Sequence, residues 1–146
     1  EEINSDFFDE GMRLLRSSNP DSEICIVSSG YMLGRAIELF EKLTSAGHKA
    51  KVLDIFKTEE INREYFKSYV SNCKIFITLE EQTLSGGFGS SICEVLADTN
   101  FKFDRVLRFG LPSRYIFENG SREHLLNTNG LSAENIFNRT LELLRD

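Results

Sequence analysis

A chain of 146 residues with 40% hydrophobic and 27% charged residues has the size and composition of one soluble globular domain, expected to span residues 1–146. Its net charge of -6, without a basic cluster, argues against binding to nucleic acid or anionic lipid. No apolar run approaches the roughly 20 residues that span a bilayer, so no membrane partner is expected.

The first twenty residues leave their structure open. Met12, Leu14 and Leu15 have the propensity either to close a short helix or to form an edge strand. Residues 19–21, Asn-Pro-Asp, are typical of a turn. The pattern therefore predicts a break before residue 22 and two alternatives for the segment that precedes it.

Alternating strands and helices follow this turn. Residues 24–29 form a β-branched run without a polar face, which is typical of a strand buried on both sides of a parallel sheet. Apolar residues then recur at spacings of three and four over 33–43, which predicts an amphipathic helix that ends at Gly47. Residues 50–56 predict a second strand, and residues 59–69 a second helix.

The alternation continues to the end of the chain. It predicts a strand over 74–79, a helix over 88–97 and a strand over 105–110. A final helix has Ser132 as its N-cap and an apolar stripe over 136–144. Because right-handed crossovers place helices on both faces of a parallel sheet, this order predicts an α/β fold with three αβα layers around a mostly parallel sheet of about five strands.

The cysteines and histidines offer no metal site. Cys25, Cys73 and Cys93 are an odd number, and each has apolar neighbours, which predicts buried, reduced thiols in a cytoplasmic protein. His48 and His124 do not lie at ligand spacing from any cysteine. We therefore expect no metal ligand in this chain.

The stretch E-E-Q-T-L-S-G-G-F-G-S-S, residues 80–91, joins a predicted strand to a predicted helix, at the sheet edge where open α/β proteins bind ligands. Glu80 and Glu81 would repel phosphate, and the glycine spacing does not match the dinucleotide-binding fingerprint. Two alternatives remain for this turn. In the first, the glycines and an exposed Phe88 pack against a second chain or domain. In the second, the turn is a tight connection and Phe88 lies in the local core.

Arg108 and Arg114 flank a Gly-Leu-Pro segment after the last predicted strand. Guanidinium groups match phosphate oxygens, which makes both residues candidate contacts to a phosphorylated sugar. The alternative is that one packs along its strand while the other pairs with an acidic neighbour. His124 has charged neighbours and no recognisable nucleophile, which favours a surface histidine over a catalytic base.

Four segments carry a resemblance to a known family. The most specific feature is E-E-x-x-x-x-G-G-F-G-S, followed from Arg108 by R-x-G-L-P. The segments are I-C-I-V-S-S-G-Y-M-L-G-R-A-I-E-L-F-E-K-L, G-H-K-A-K-V-L-D-I, L-E-E-Q-T-L-S-G-G-F-G-S-S-I-C-E-V-L and R-F-G-L-P-S-R-Y-I-F-E-N-G-S-R-E-H-L-L. Their order and spacing resemble the C-terminal domain of transketolases, with deoxyxylulose-phosphate synthase and the split transketolases most similar. The resemblance extends from about Asp9 to Leu144.

The resemblance implies a domain that follows the diphosphate-binding and pyrimidine-binding domains of a thiamine diphosphate enzyme. Such transferases move a two-carbon ketol unit between phosphorylated sugars, or join pyruvate to a triose phosphate. The family's active site lies mainly between the two other domains, and the G-D-G motif that holds magnesium and diphosphate is missing here. The isolated domain is therefore expected to be inactive and to bind neither cofactor. Contacts to other domains, or within a homodimer, are expected at Glu80, Glu81, Gly86, Gly87, Phe88 and Gly89.

Two departures from the family pattern stand out. Residues 58–62 read T-E-E-I-N where relatives carry P-L-D, and Thr58 can cap a helix in place of the proline turn. Ser113 replaces the usual aspartate and removes a carboxylate beside Arg114. Two other functions stay open: an independent α/β module that binds a small anion or a partner protein, and the C-terminal domain of a 2-oxo acid dehydrogenase β subunit.

Overall fold

The computed structural model describes residues 10–145. Its strands are β1 (Met12–Ser17), β2 (Ile24–Ser28), β3 (Ala50–Ile55), β4 (Ile75–Thr83) and β5 (Arg105–Leu111). Its helices are α1 (Leu33–Ser45), α2 (Arg63–Val70), α3 (Phe88–Asp98), α4 (Arg122–Thr128) and α5 (Ala133–Arg145), and a single 3-10 turn (Gly30–Met32) precedes α1.

The five strands form one sheet in the order β1-β3-β2-β4-β5. The pairs β2–β3, β2–β4 and β4–β5 are parallel, and β1 runs antiparallel to β3 at the edge. The structure therefore selects the edge strand for the segment around Met12. A register shift between Leu14 and Arg16 interrupts its pairing, and such irregularities protect an edge from pairing with another chain.

The sheet is covered on both faces, which confirms the three-layer architecture. Successive residues of β2 point to opposite faces, so that Ile26 packs with α1, α4 and α5 while Cys25 and Val27 pack with α2 and α3. Every residue of β2 and of β3 is buried, as expected for central strands between two helical layers.

Local capping sets the helix boundaries. The side chain of Asn62 accepts hydrogen bonds from the backbone N–H groups of Glu64 and Tyr65, so α2 begins at Arg63 and not at residue 59. The predicted cap Ser132 is confirmed, since its hydroxyl accepts from the N–H of Asn135 at 3.2 Å. None of the helices in residues 10–145 is long and apolar enough to cross a membrane.

The cysteine prediction needs one correction. Cys25 and Cys73 are buried, but Cys93 is only partly buried because it lies beside the face of α3 that Ile92 and Leu96 turn to the core. All three thiols are free.

This difference predicts the thiol reactivity of the folded protein. A thiol-specific reagent is expected to modify Cys93 first, while Cys25 and Cys73 react only after denaturation, because a buried thiol is inaccessible to the reagent. Peptide mass spectrometry after a short labelling pulse measures the order. Labelling of Cys25 before Cys93 would contradict the packing described for the α2–α3 face.

Candidate functional site

A cleft of about 510 Å³ lies at the carboxyl edge of the sheet, where the chain leaves β2 towards β3 and leaves β4 in the opposite direction towards β5. Such a switch in strand order is the usual place of ligand sites in open α/β sheets. The cleft is lined by the end of β4, the starts of α3 and α4, and the turns that follow β2, β3 and β4. The lining residues are Ser29, Gly30, Tyr31, Thr58, Glu59, Leu79, Glu80, Glu81, Gln82, Gly86, Gly87, Phe88, Ser91 and Arg122.

Glu80 turns inwards and caps the helix that follows it. Its side chain is buried, and Oε1 accepts a hydrogen bond of 3.1 Å from the backbone N–H of Gly89. The N-cap residue of α3 is Gly87, which has no side chain to offer, and Gln82 Oε1 accepts from the N–H of Phe88 at 2.9 Å. Two side chains of β4 thus satisfy N–H groups that the first turn of α3 leaves unpaired.

The glycines of the turn leave room for this carboxylate. A Cβ atom on Gly87 would overlap Glu80 Oε2 and the carbonyl oxygen of Thr83. A Cβ atom on Gly89 would lie 2.6 Å from Thr78 Oγ1 and 2.7 Å from Glu80 Oε1, both too close for a real contact. The spacing of these glycines therefore follows from the close packing of the helix start on a buried glutamate.

Two opposing effects, burial and a nearby cation, act on the pKa of Glu80. Burial raises the pKa of Glu80 above its ordinary value of 4.5, while the N–H of Gly89 and the charge of Arg108 act in the opposite direction. Arg108 Nη2 lies 3.8 Å from Glu80 Oε1 and also donates to the Leu84 carbonyl and to the Ser90 hydroxyl, the latter at 2.9 Å. Within the described chain, Glu80 Oε2 has no hydrogen-bond partner.

Glu81 points to the opposite face from Glu80, because neighbouring residues of a strand alternate. Both of its carboxylate oxygens accept from Arg122 Nη2 at 2.6 Å, and Oε1 also accepts from Nε at 2.9 Å. The Arg122 guanidinium carbon lies 3.9 Å from the centre of the Tyr31 ring. These contacts join the end of β4, the turn after β2 and the first residue of α4.

The Tyr31 hydroxyl extends this network to α1. It donates to Glu123 Oε1 at 2.6 Å, and Glu123 also pairs with Arg35, which donates to Asn127 Oδ1 at 2.9 Å. The hydrogen bond from the hydroxyl raises the pKa of Tyr31 and lowers that of Glu123. The sequence indicates a solvated helix surface around His124 but did not reveal the bounds of α4 or these pairs. Ser121 before Arg122 carries an N-cap signal, since its hydroxyl accepts from the N–H of His124.

The two arginines proposed for phosphate are not brought to the cleft. Arg108 packs inwards from β5, as one alternative predicted, and Arg114 donates to Asn129 Oδ1 at 3.1 Å. The partner of Arg114 is thus a neutral amide, and the expected pairing with an acidic neighbour is wrong. The two guanidinium groups share no partner in the described residues, and their contact with a phosphorylated sugar stays a prediction.

The turn residues proposed for contact with other domains differ in what they expose. Phe88, the first residue of α3, is only 7% exposed and belongs to the core cluster that includes α2. The prediction of an exposed aromatic anchor is therefore wrong, and the local-core alternative is confirmed. Gly87 and Gly89 are buried, whereas Gly86 is exposed at φ 73° and Glu81 is partly exposed. The contact role of this turn stays a prediction, with Gly86 and Glu81 as its accessible members.

Comparison with known proteins places this geometry in a family. The family model described as "Transketolase, C-terminal domain" matches residues 15–136. The 1-deoxy-D-xylulose-5-phosphate synthase 2 of Geobacter sulfurreducens is 38% identical over 119 residues, which cover 81% of this chain and 19% of the relative. The 1-deoxy-D-xylulose-5-phosphate synthase of Thermomicrobium roseum is 33% identical over 123 residues, which cover 84% of this chain and 19% of the relative.

Solved structures agree with the sequence comparison. A split-gene transketolase described as an inactive β4 tetramer superposes with a TM-score of 0.75 and 25% identity, over 90% of this chain and 41% of that one. A transketolase variant from Pichia stipitis has a TM-score of 0.67 and 17% identity, over 92% of this chain and 18% of that one, and supports the fold alone. The chain spans about a fifth of the length of the curated relatives it matches. With this family match and this fold, the chain belongs to the C-terminal domain family of transketolase-type enzymes.

Proposed function

We propose that this chain is the C-terminal domain of a deoxyxylulose-phosphate synthase in which it supports assembly and takes no part in the chemical steps. The observation that carries the proposal is the 38% identity over 119 residues to such a synthase. The complete enzyme would join pyruvate to a triose phosphate, with thiamine diphosphate as cofactor. Two-carbon transfer between phosphorylated sugars is the corresponding reaction if the parent enzyme is a transketolase.

The cleft at the carboxyl edge does not suit thiamine diphosphate and magnesium. Glu59, Glu80 and Glu81 line it, and carboxylates repel a diphosphate. Its arginine, Arg122, is already held by both oxygens of Glu81. In residues 10–145 no group of three His, Cys, Asp or Glu side chains is placed to hold a metal ion. We assign both cofactors to the other domains of the enzyme.

The proposed role in assembly uses the same sheet edge. The network from Glu81 through Arg122 to Tyr31 links the end of β4, the start of α4 and the turn after β2, which suits a preorganised surface for a neighbouring domain or subunit. A homodimer in the cytoplasm is the assembly that we propose for the complete enzyme. Glu81 and Gly86 are the members of the turn with surface available for such a contact.

The test is to place an affinity tag on the native gene that encodes this domain and to purify the protein as the cell makes it. We expect a protein far longer than 146 residues. Supplied with thiamine diphosphate, magnesium, pyruvate and a triose phosphate, it should release carbon dioxide and form a five-carbon sugar phosphate. Omission of thiamine diphosphate should abolish the product.

The same preparation separates the alternatives. Two-carbon transfer from a ketose phosphate to an aldose phosphate, without use of pyruvate, would indicate a transketolase. Decarboxylation of 2-oxo acids without a triose phosphate would indicate a dehydrogenase β subunit. A short protein without any of these activities, but stabilised against heating by a small anion or a partner protein, would support the independent binding module and contradict the proposal.

A further inference from the structure

An exposed aromatic pair lies in the segment that joins β5 to α4. Tyr115 and Phe117 are each 85% exposed, about twice the exposure of the next large hydrophobic residues in the described chain, Leu14 and Tyr31 at 42%. The two ring centroids are 6.0 Å apart with an interplanar angle of 36°. Ile116 between them is partly buried, whereas both rings face outwards.

The segment that carries these rings is fixed at both ends. The N–H of Arg114 donates to the Pro112 carbonyl at 2.8 Å, and its guanidinium donates to Asn129 at the end of α4. At the other end, Ser121 caps α4. Two aromatic side chains with few rotatable bonds on a fixed segment lose little conformational entropy when they dock.

Such a pair has the properties of an interface anchor. An aromatic side chain buries about 150–250 Å² when it is covered, and aromatic residues dominate the binding energy of protein interfaces. The segment that carries the pair leads into α4, whose first residue, Arg122, lines the cleft. Arg114 beside Tyr115 and Glu118 beside Phe117 are both exposed, so a covering surface with an apolar pocket and a rim of both charges complements this segment.

We propose that Tyr115 and Phe117 anchor this domain in an apolar pocket on the part of the same enzyme that lies outside this domain. This inference rests on the proposed function. The choice of partner follows from length: the matched region makes up 19% of the Geobacter relative, so about four-fifths of an enzyme of that kind lies outside this domain and can supply the covering surface.

The first experiment uses the complete enzyme, with Tyr115 replaced by the photocrosslinker p-benzoylphenylalanine. On irradiation we expect a cross-link to residues outside this domain, in the same or the partner subunit. The matched control places the photocrosslinker at Tyr65 on α2, which is 40% exposed and lies in the opposite helical layer. A cross-link confined to residues 1–146, including the first nine residues and the same loop of a second copy, would overturn the proposal. So would a yield no higher than that of the Tyr65 control.

The second experiment measures what the rings contribute to domain docking. In the complete enzyme, the double variant Tyr115→Ser and Phe117→Ser should raise the rate of proteolytic cleavage between domains by about 10-fold or more, the ratio expected for loss of an interface hot spot. Tyr65→Ser should leave this rate unchanged. An unchanged rate in the double variant would contradict the anchor role. The activity of the unmodified enzyme tests the proposed function separately, so that an active enzyme without the cross-link overturns only the inference.

Discussion

Replacement of Gly87 by alanine is expected to lower the free energy of unfolding by about 3 kcal/mol, at the upper end of the range for overpacking. The added Cβ would overlap Glu80 Oε2 and the carbonyl oxygen of Thr83. The carboxylate belongs to a side chain that can shift, but the carbonyl belongs to the backbone, so the start of α3 must move away from β4. Denaturant unfolding followed by circular dichroism measures the change.

Gly34→Ala provides the matched control. Gly34 lies in α1, and a Cβ atom there would meet no heavy atom within 4 Å. Because alanine has the higher helix propensity, this variant should be stabilised by up to about 1 kcal/mol. Equal effects of the two substitutions would show that the glycine at 87 is not required by close packing on Glu80.

Glu80→Ala is expected to lower the free energy of unfolding by about 3 kcal/mol, the cost of removing one member of a buried polar cluster. The substitution leaves the N–H of Gly89 without its acceptor and removes the carboxylate 3.8 Å from the Arg108 guanidinium. The same unfolding measurement detects it. A loss below about 1 kcal/mol, no more than an average hydrogen bond, would mean that Glu80 does not hold the start of α3.

Glu80→Gln separates the cap from the charge. Glutamine keeps a carbonyl acceptor for Gly89 but does not titrate. Because the folded protein raises the pKa of Glu80 above 4.5, the native state binds more protons than the unfolded state between 4.5 and the raised pKa. The stabilising contribution of protonated Glu80 is complete below pH 4.5 and is lost as pH rises through the raised value.

The free energy of unfolding of Glu80→Gln, minus that of the natural protein, should therefore increase with pH across this window and level off above it. Asp54 also has a pKa raised by burial, against the opposing effect of Arg13, and its contribution remains in both proteins and cancels in the difference. A difference that is flat between pH 4 and pH 8, or that falls with pH, would contradict the burial of the Glu80 carboxyl as its main perturbation.

The two carboxylates at the end of β4 have separate tasks because they are neighbours in a strand. Glu80 faces the layer of α3 and closes the helix start, while Glu81 faces the layer of α4 and holds Arg122. The motif that resembles the family pattern is therefore explained in large part by packing within this domain. The aromatic pair at Tyr115 and Phe117 is the feature of this edge that packing within the domain does not explain.

The sequence by itself determined the architecture. The apolar run of residues 24–29 predicts a strand buried on both faces, and the three-four spacing over residues 33–43 predicts a helix, because both periods are local properties of the chain. The structure has these elements at Ile24–Ser28 and Leu33–Ser45. Ser132 was identifiable as a cap since it bonds to a group only three residues away. The family resemblance rests on the same local segments, and the match over residues 15–136 confirms it.

Only the tertiary structure decided the arrangement of the edge. The segment around Met12 became a strand because it pairs with β3, some forty residues away, and Phe88 is buried because α3 turns it onto the sheet. Arg122 donates hydrogen bonds to Glu81, which is 41 positions away in the sequence, and Arg35 donates to Asn127, which is 92 positions away. Such partners are set by how layers pack and not by periodicity, so the fold could be predicted from residue patterns while the contacts of the site could not.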